Sequence, residues 1–181
     1  MTAHEISNII GNKNAITYKE IFPLIKNNKI WLGATMHSGG RNFRVPNGYN
    51  VSKHFTYDED GNKYVNIPGP RWFTNIDHGV RHEKLILYKK YAPEEYPKYD
   101  NYDAINVDKT CDIPEDYNDV MGVPITFLDK YNPDQFEIID INPHFFSIVE
   151  KGLPKPKQLT LHNVGKKDPY ARILIKRKDI K

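Results

Sequence analysis

Residues 69 to 78, Gly69-Pro70-Arg71-Trp72-Phe73-Thr74-Asn75-Ile76-Asp77-His78, gather aromatic, cationic and turn-forming groups in one short run. The planar guanidinium of Arg71 has paired N–H groups that match a phosphate or a guanine edge. Trp72 and Phe73 are flat surfaces on which a base can stack, or which can fill a core. Thr74, Asn75, Asp77 and His78 add hydrogen-bonding groups. A similar set lies upstream in Arg41-Asn42-Phe43-Arg44-Val45-Pro46-Asn47-Gly48-Tyr49. Together the two stretches read as one polar-aromatic surface suited to nucleic acid. The same residues also allow a Trp-Phe core pair beside a solvated Arg.

Other chemistry is weaker. His78 and His82 are spaced for one helix face and Glu83 follows, which mimics a metal pair, but no third ligand has characteristic spacing and no metal is expected. Asp58-Glu59-Asp60-Gly61-Asn62 lacks the bidentate Glu of a calcium loop and reads as a tight turn between strands. Cys111 has no neighbouring His to activate it. No Ser sits in a nucleophile elbow. No catalytic residue and no self-contained active site are therefore expected. The candidate nucleic-acid contacts are Arg41, Asn42, Phe43, Arg44, Arg71, Trp72, Asn75 and Arg81. Arg71 and Arg44 are expected to touch base or phosphate, and Trp72 to serve as a packing platform. Lys166-Lys167 and Lys176-Arg177-Lys178 add charge for phosphates.

Composition bounds the elements that must hold these groups. At 181 residues the chain makes one domain. Residues 1–90 are expected to hold the strands and recognition loops, and 91–181 a loop-rich portion with a closing strand. Hydrophobic content is 39%, on the low side, but 12% aromatic residues and charges of both signs allow a core. The net charge of +3 is compatible with a polyanion without demanding one. One cysteine excludes a disulfide framework and a cysteine-rich zinc site, and fits a reducing cytoplasm. No apolar run approaches the roughly 18 residues that span a bilayer, and no secretion signal is seen.

In chain order, Ser7 to Ile10 reads as a strand tail and Ala15 to Asn28 as a helix capped by Asn14 or Thr17. Pro23 kinks or restarts that helix, and Asn27-Asn28 stops it. Lys29 to Thr35 reads as a buried strand, so the opening looks like a βαβ unit. His37 to Asn50 reads as a loop carrying two arginines and two aromatics. Lys63 to Ile67, Arg71 to Phe73 and Leu85 to Tyr88 read as strands, with a hairpin tip over Asn75 to Arg81. Tyr91 to Asp116, rich in Pro, Tyr and Asp, reads as a long ordered loop with a short strand at Ile105 to Val107. Met121 to Leu128 reads as a short strand or helix start. Phe136 to Ile139 is a strand after an Asn132-Pro133-Asp134 turn. Residues 142 to 157 form a connector, and Tyr170 to Lys178 a closing strand with a basic tail.

Several blocks resemble one known family. Tyr18-Lys19-Glu20-Ile21-Phe22 with Ile30-Trp31-Leu32-Gly33 is similar to the EcoRI-type adenine-specific DNA methyltransferases. So are Gly69-Pro70-Arg71-Trp72-Phe73-Thr74-Asn75, Gly122-Val123-Pro124-Ile125-Thr126-Phe127-Leu128 and Tyr170-Ala171-Arg172-Ile173-Leu174-Ile175. The order of the blocks, from about residue 9 to residue 178, makes the match specific. The resemblance implies the C-terminal, target-recognition half of such an enzyme. It also implies an α/β fold: a partial methyltransferase-like (Rossmann-like) mixed sheet with long loops and few helices. The full-length family transfers a methyl group from S-adenosylmethionine to adenine, using a glycine-rich cofactor loop and an Asn-Pro-Pro-Phe loop. Neither is in this chain. Gly39-Gly40 lacks the strand and helix that must flank a cofactor loop. Asn132-Pro133-Asp134-Gln135-Phe136 and Asn142-Pro143-His144-Phe145-Phe146 lack the second proline. No cofactor is expected for the chain alone. Met1 to Ser7 departs from the family pattern, which reads as a new start.

These readings imply a DNA-binding remnant or subunit, cytoplasmic, without chemistry of its own and working beside a catalytic subunit. The alternative is a phage or mobile-element protein that binds a host protein to block a defence; a complete enzyme with an unrecognised site is the third reading. An incomplete sheet leaves an exposed edge, so a homodimer or an obligate partner is expected.

Overall fold

A computed structural model describes residues 8–34, 39–49, 54–142, 158–165, 167 and 169–178. The expectations for Met1 to Ser7, Thr35 to Ser38, the connector beyond Asn142 with its Asn-Pro-His-Phe-Phe look-alike, and Lys166 lie outside the described residues. Among the described residues the fold is mixed α/β, with three small sheets, few helices and long loops.

The first sheet corrects the βαβ expectation. Strands β1 (Asn8–Asn12) and β2 (Trp31–Leu32) do not pair with each other. A later strand inserts between them, and both pair with it in antiparallel register. The helix expected over Ala15 to Asn28 is split, because Pro23 has no N–H to donate and tolerates only a first turn. A 3-10 turn at Lys13–Thr17, capped by Asn12 rather than Asn14 or Thr17, comes first. Helix α1 (Phe22–Lys26) then starts at the proline. It stops as expected at Asn27-Asn28, where Asn28 takes a left-handed φ of 51°.

The stretch expected to be a loop from His37 to Asn50 contains a strand, β3 (Gly40–Arg44). It forms a second sheet with β4 (Phe55–Tyr57) and β5 (Lys63–Pro68), in the order β3-β5-β4. The turn between β4 and β5 is the expected tight one. Asp58 accepts from Asp60 N, Asn62 N and Asn62 Nδ2, and the Asn62 amide holds its carboxyl below the usual range. At Gly69 the chain turns out of this sheet with φ +58°, where a side chain would be strained. It enters β6 (Pro70–Thr74), the centre of the first sheet.

The third sheet is mixed. β7 (Ile105–Asn106) runs parallel to β8 (Met121–Pro124). β10 (Arg172–Arg177) lies antiparallel between β8 and β9 (Phe136–Ile141). Ile173, Leu174 and Ile175 are all fully buried, as a strand covered on both faces requires. Ile173 and Ile175 join the main core with Phe22, Ile25, Leu32, Phe73, Phe127 and Phe136. Leu174 faces the opposite way, with Tyr99, Ala104, Leu159 and Leu161. The first and third sheets thus share one core.

Tyr91 to Asp116 is the ordered loop expected. Tyr91 packs on Tyr117 with ring centroids 4.6 Å apart, and Tyr96 Oη donates to the Asp112 carbonyl. Leu85 to Tyr88 is not a strand, although its exposure alternates as one. The Gln135 side chain takes the place of a neighbouring strand, its Oε1 accepting from Leu85 N and its Nε2 donating to Leu85 O.

Candidate nucleic-acid interface

The two polar-aromatic stretches of the sequence meet in space. Ile10, Arg41, Asn42, Phe43, Pro70, Arg71 and Trp72 line one groove of about 250 Å³. Its walls come from β1, β3 and β6, and its geometry follows from the corner at Gly69. Gly69 N donates to Gly39 O and Lys13 N donates to Gly69 O, so one residue ties the start of β3 and the end of β1 to the bend.

Side-chain alternation then sorts the groups. On β6, Trp72 is 40% exposed while Arg71 and Phe73 on either side are buried. Trp72 stands opposite Ile10 of β1, itself 50% exposed, so an indole and an isoleucine form the apolar wall. On β3, Arg41 and Phe43 share one face and Asn42 and Arg44 the other. Asn42 Oδ1 accepts from Asn66 Nδ2 at 2.8 Å. Arg44 stands opposite Tyr64, and lines a second, polar cleft with Asn47, Asp60 and Asn62. The Asp58 carboxylate raises the Tyr64 hydroxyl above its ordinary range, and Arg44 works in the opposite direction.

The other two arginines turn inward. Arg71 is 9% exposed, and its Nε lies 3.4 Å from Asp129 Oδ1. The Arg81 guanidinium sits 3.8 Å over the Trp31 ring, donates to Asn28 Oδ1 at 2.9 Å and pairs with Asp77. Trp31 Nε1 donates in turn to Ile76 O. Asn75 follows β6, half-buried, outside the groove. Arg41, Asn42, Phe43, Arg71 and Trp72 all line the groove, although the Arg71 side chain turns to Asp129 and that of Asn42 to Asn66, while Arg44, Asn75 and Arg81 lie elsewhere. No sequence motif marks Ile10 or Asn66. Ile10 enters only through strand pairing, whereas the alternation of β5 could have placed Asn66 on the Asn42 face.

The weaker motifs resolve into structure. His78 Nε2 donates to Leu32 O, whereas His82 Nε2 reaches the Asp77 carboxylate at 2.8 Å, and that contact lowers the Asp77 carboxyl below its usual range. The two rings have separate partners, and among the described residues no group of three or more His, Cys, Asp or Glu could hold a metal. Asn132, buried at 2%, donates to the carbonyls of His82 and Glu83 and accepts from Asp134 N, so its Asn-Pro loop is a structural turn. Gly39-Gly40 leads into β3, which pairs with β5, and among the described residues no helix lies between β3 and β4. No described helix is long and apolar enough to cross a membrane.

A family model described as adenine-specific methyltransferase EcoRI matches residues 4–178. The chain is 50% identical over 173 residues to the type II methyltransferase M.EcoRI of Escherichia coli, covering 94% of this chain and 49% of that protein. It is 36% identical over 183 residues to the type II methyltransferase M.MgeORF184P of Mycoplasma genitalium, covering 95% of this chain and 57% of the relative. It is 34% identical over 183 residues to the type II methyltransferase M.MpnI of Mycoplasma pneumoniae, covering 94% and 56%. No solved structure matches. The chain spans about half the length of these relatives. Because the family model covers nearly the whole chain, the protein belongs to the EcoRI family of adenine-specific methyltransferases.

Proposed function

We propose that this chain is the DNA-binding, target-recognition part of an adenine-specific DNA methyltransferase, corresponding to the C-terminal half, without a self-contained active site. The observation that carries the reading is the groove in which Arg41, Asn42 and Phe43 meet Trp72 and Ile10. It sets an exposed cation beside an exposed indole, the pairing used to hold a nucleic-acid backbone and stack a base. Arg41 and Arg44 contact phosphates or base edges from the two faces of β3, and Trp72 and Phe43 supply the platform. Arg71 and Arg81 act from behind, by fixing β6 and Trp31. S-adenosylmethionine and the base pocket belong, in this reading, to the other half of the fold, since neither a glycine-rich cofactor loop nor an Asn-Pro-Pro-Phe loop occurs in this sequence. DNA is then the ligand of this chain, which works in the cytoplasm beside its catalytic half.

The test is fluorescence anisotropy of the 181-residue protein with a labelled random duplex across a salt series. The expected result is affinity that falls steeply with salt and weakens in Arg41→Ala. Absence of binding at low salt would overturn the reading. It would turn the search to a protein ligand for the groove, such as a host defence protein.

A further inference from the structure

Strand β1 is placed at the edge of its sheet, yet it has the sequence of an inner strand. Its isoleucines point to opposite faces, Ile9 with Phe73 and Ile10 with Trp72, and are 58% and 50% exposed. A strand that ends a sheet next to water carries apolar residues on one face only, whereas a strand covered on both faces carries them consecutively. The row behind Ile9 makes the mismatch specific. Leu32, Phe73 and Ile9 lie side by side across β2, β6 and β1. Leu32 is 7% and Phe73 5% exposed, and the cover then stops one strand short. Among the described residues no strand pairs with the outer edge of β1, which presents every second N–H and C=O for pairing. Ile86 and Tyr88 are exposed as well, at 84% and 63%. They project from one side of an extended segment whose Leu85 and Leu87 pack inward, so only one face is bare there.

We infer that β1 is the docking edge for the other half of the methyltransferase fold, which adds a strand along Asn8–Asn12 and covers Ile9 from the core side. The inference rests on the family membership and names the partner that the proposed function requires. The occupant follows from length: the three relatives carry about as much sequence again as this chain matches, and the apolar row is cut at this strand. Pairing by strand addition supplies main-chain hydrogen bonds, and the covered isoleucine adds apolar contact.

The experiment co-expresses the 181-residue protein with the part of the Escherichia coli relative that it does not match, as a separately tagged chain. The complex is read by light scattering and by hydrogen exchange. The expected result is a one-to-one complex in which amides of residues 8–12 exchange at least ~10-fold more slowly than in the free protein. Ile9→Lys, at an exposed position facing away from the groove, should weaken the complex ~10-fold or more, while Ile86→Lys leaves it unchanged. Circular dichroism confirms that both variants fold. A complex without protection of residues 8–12 would overturn the inference, as would a homodimer paired through β1, or a chain that stays monomeric in the mixture. DNA affinity of the free chain is measured in parallel, so loss of docking with DNA binding intact separates this inference from the proposed function.

Discussion

Arg71 Nε lies 3.4 Å from Asp129 Oδ1, and the two side chains are 9% and 15% exposed. The pair joins the central strand of the first sheet to the 3-10 segment Ile125–Lys130 that follows β8. The neighbouring Trp72 points the opposite way, so the same strand anchors the core and presents the indole.

Removing one partner of that pair leaves the other charge buried. Arg71→Ala should therefore lower stability by about 3 kcal/mol. The double variant Arg71→Met with Asp129→Leu, which removes both charges and keeps volume, should recover most of the loss. Urea denaturation of the three proteins measures this, and an Arg71→Ala protein as stable as the parent would exclude the pair as an anchor.

Trp72 is exposed and should matter to binding more than to folding. Trp72→Ala is expected to change stability by less than about 1 kcal/mol and to weaken duplex or single-strand binding by ~10-fold, as loss of one stacking platform does. Arg41→Ala should reduce the slope of log affinity against log salt by about 1. Anisotropy titrations give both quantities.

Tyr99 crosses the back of the third sheet, with its Oη donating to Asn106 Oδ1 at 2.8 Å. A Cβ on Gly122 would collide with that oxygen, so Gly122→Ala must displace the ring and should cost about 2 kcal/mol or more. Burial pushes the Tyr99 hydroxyl well up from its ordinary value, and it pushes Tyr117 to about 12. The folded protein thus holds these protons more tightly than the unfolded chain. Stability is fully present below about pH 10 and falls as pH rises toward the folded values. Thermal melts between pH 9 and 11.5 should show the fall, and Tyr99→Phe should flatten it.

Gln135 stands in for a strand beside Leu85. Gln135→Ala should cost about 1–3 kcal/mol, because it leaves a partly buried N–H and C=O unpaired. Hydrogen exchange at Leu85 should rise more than the global loss of stability accounts for. A uniform rise over the whole chain would assign Gln135 an ordinary packing role.

Elements with a local cause or an unmistakable composition can be read from the sequence alone. The consecutive Ile173, Leu174 and Ile175 demand cover on both faces, and Asp58 to Asn62 is a turn by its own hydrogen bonds, whereas Pro23 left a kink or a restart open and the fold takes the restart. The ordered series of family blocks was legible for the same reason, being carried by linear order. Tertiary structure alone decided which strands pair. Nothing local in Ile9-Ile10 or Trp31-Leu32 says that β6 lies between them, because a strand's hydrogen-bonding edge accepts any partner that long-range packing brings. It also decided the fate of neighbours. Arg71 and Trp72 are equally able to contact DNA by type, but a strand sends adjacent side chains to opposite faces, and the position of the core made one an anchor and the other a surface. The groove itself exists only because Gly69 bends the chain so that β3 and β6 meet.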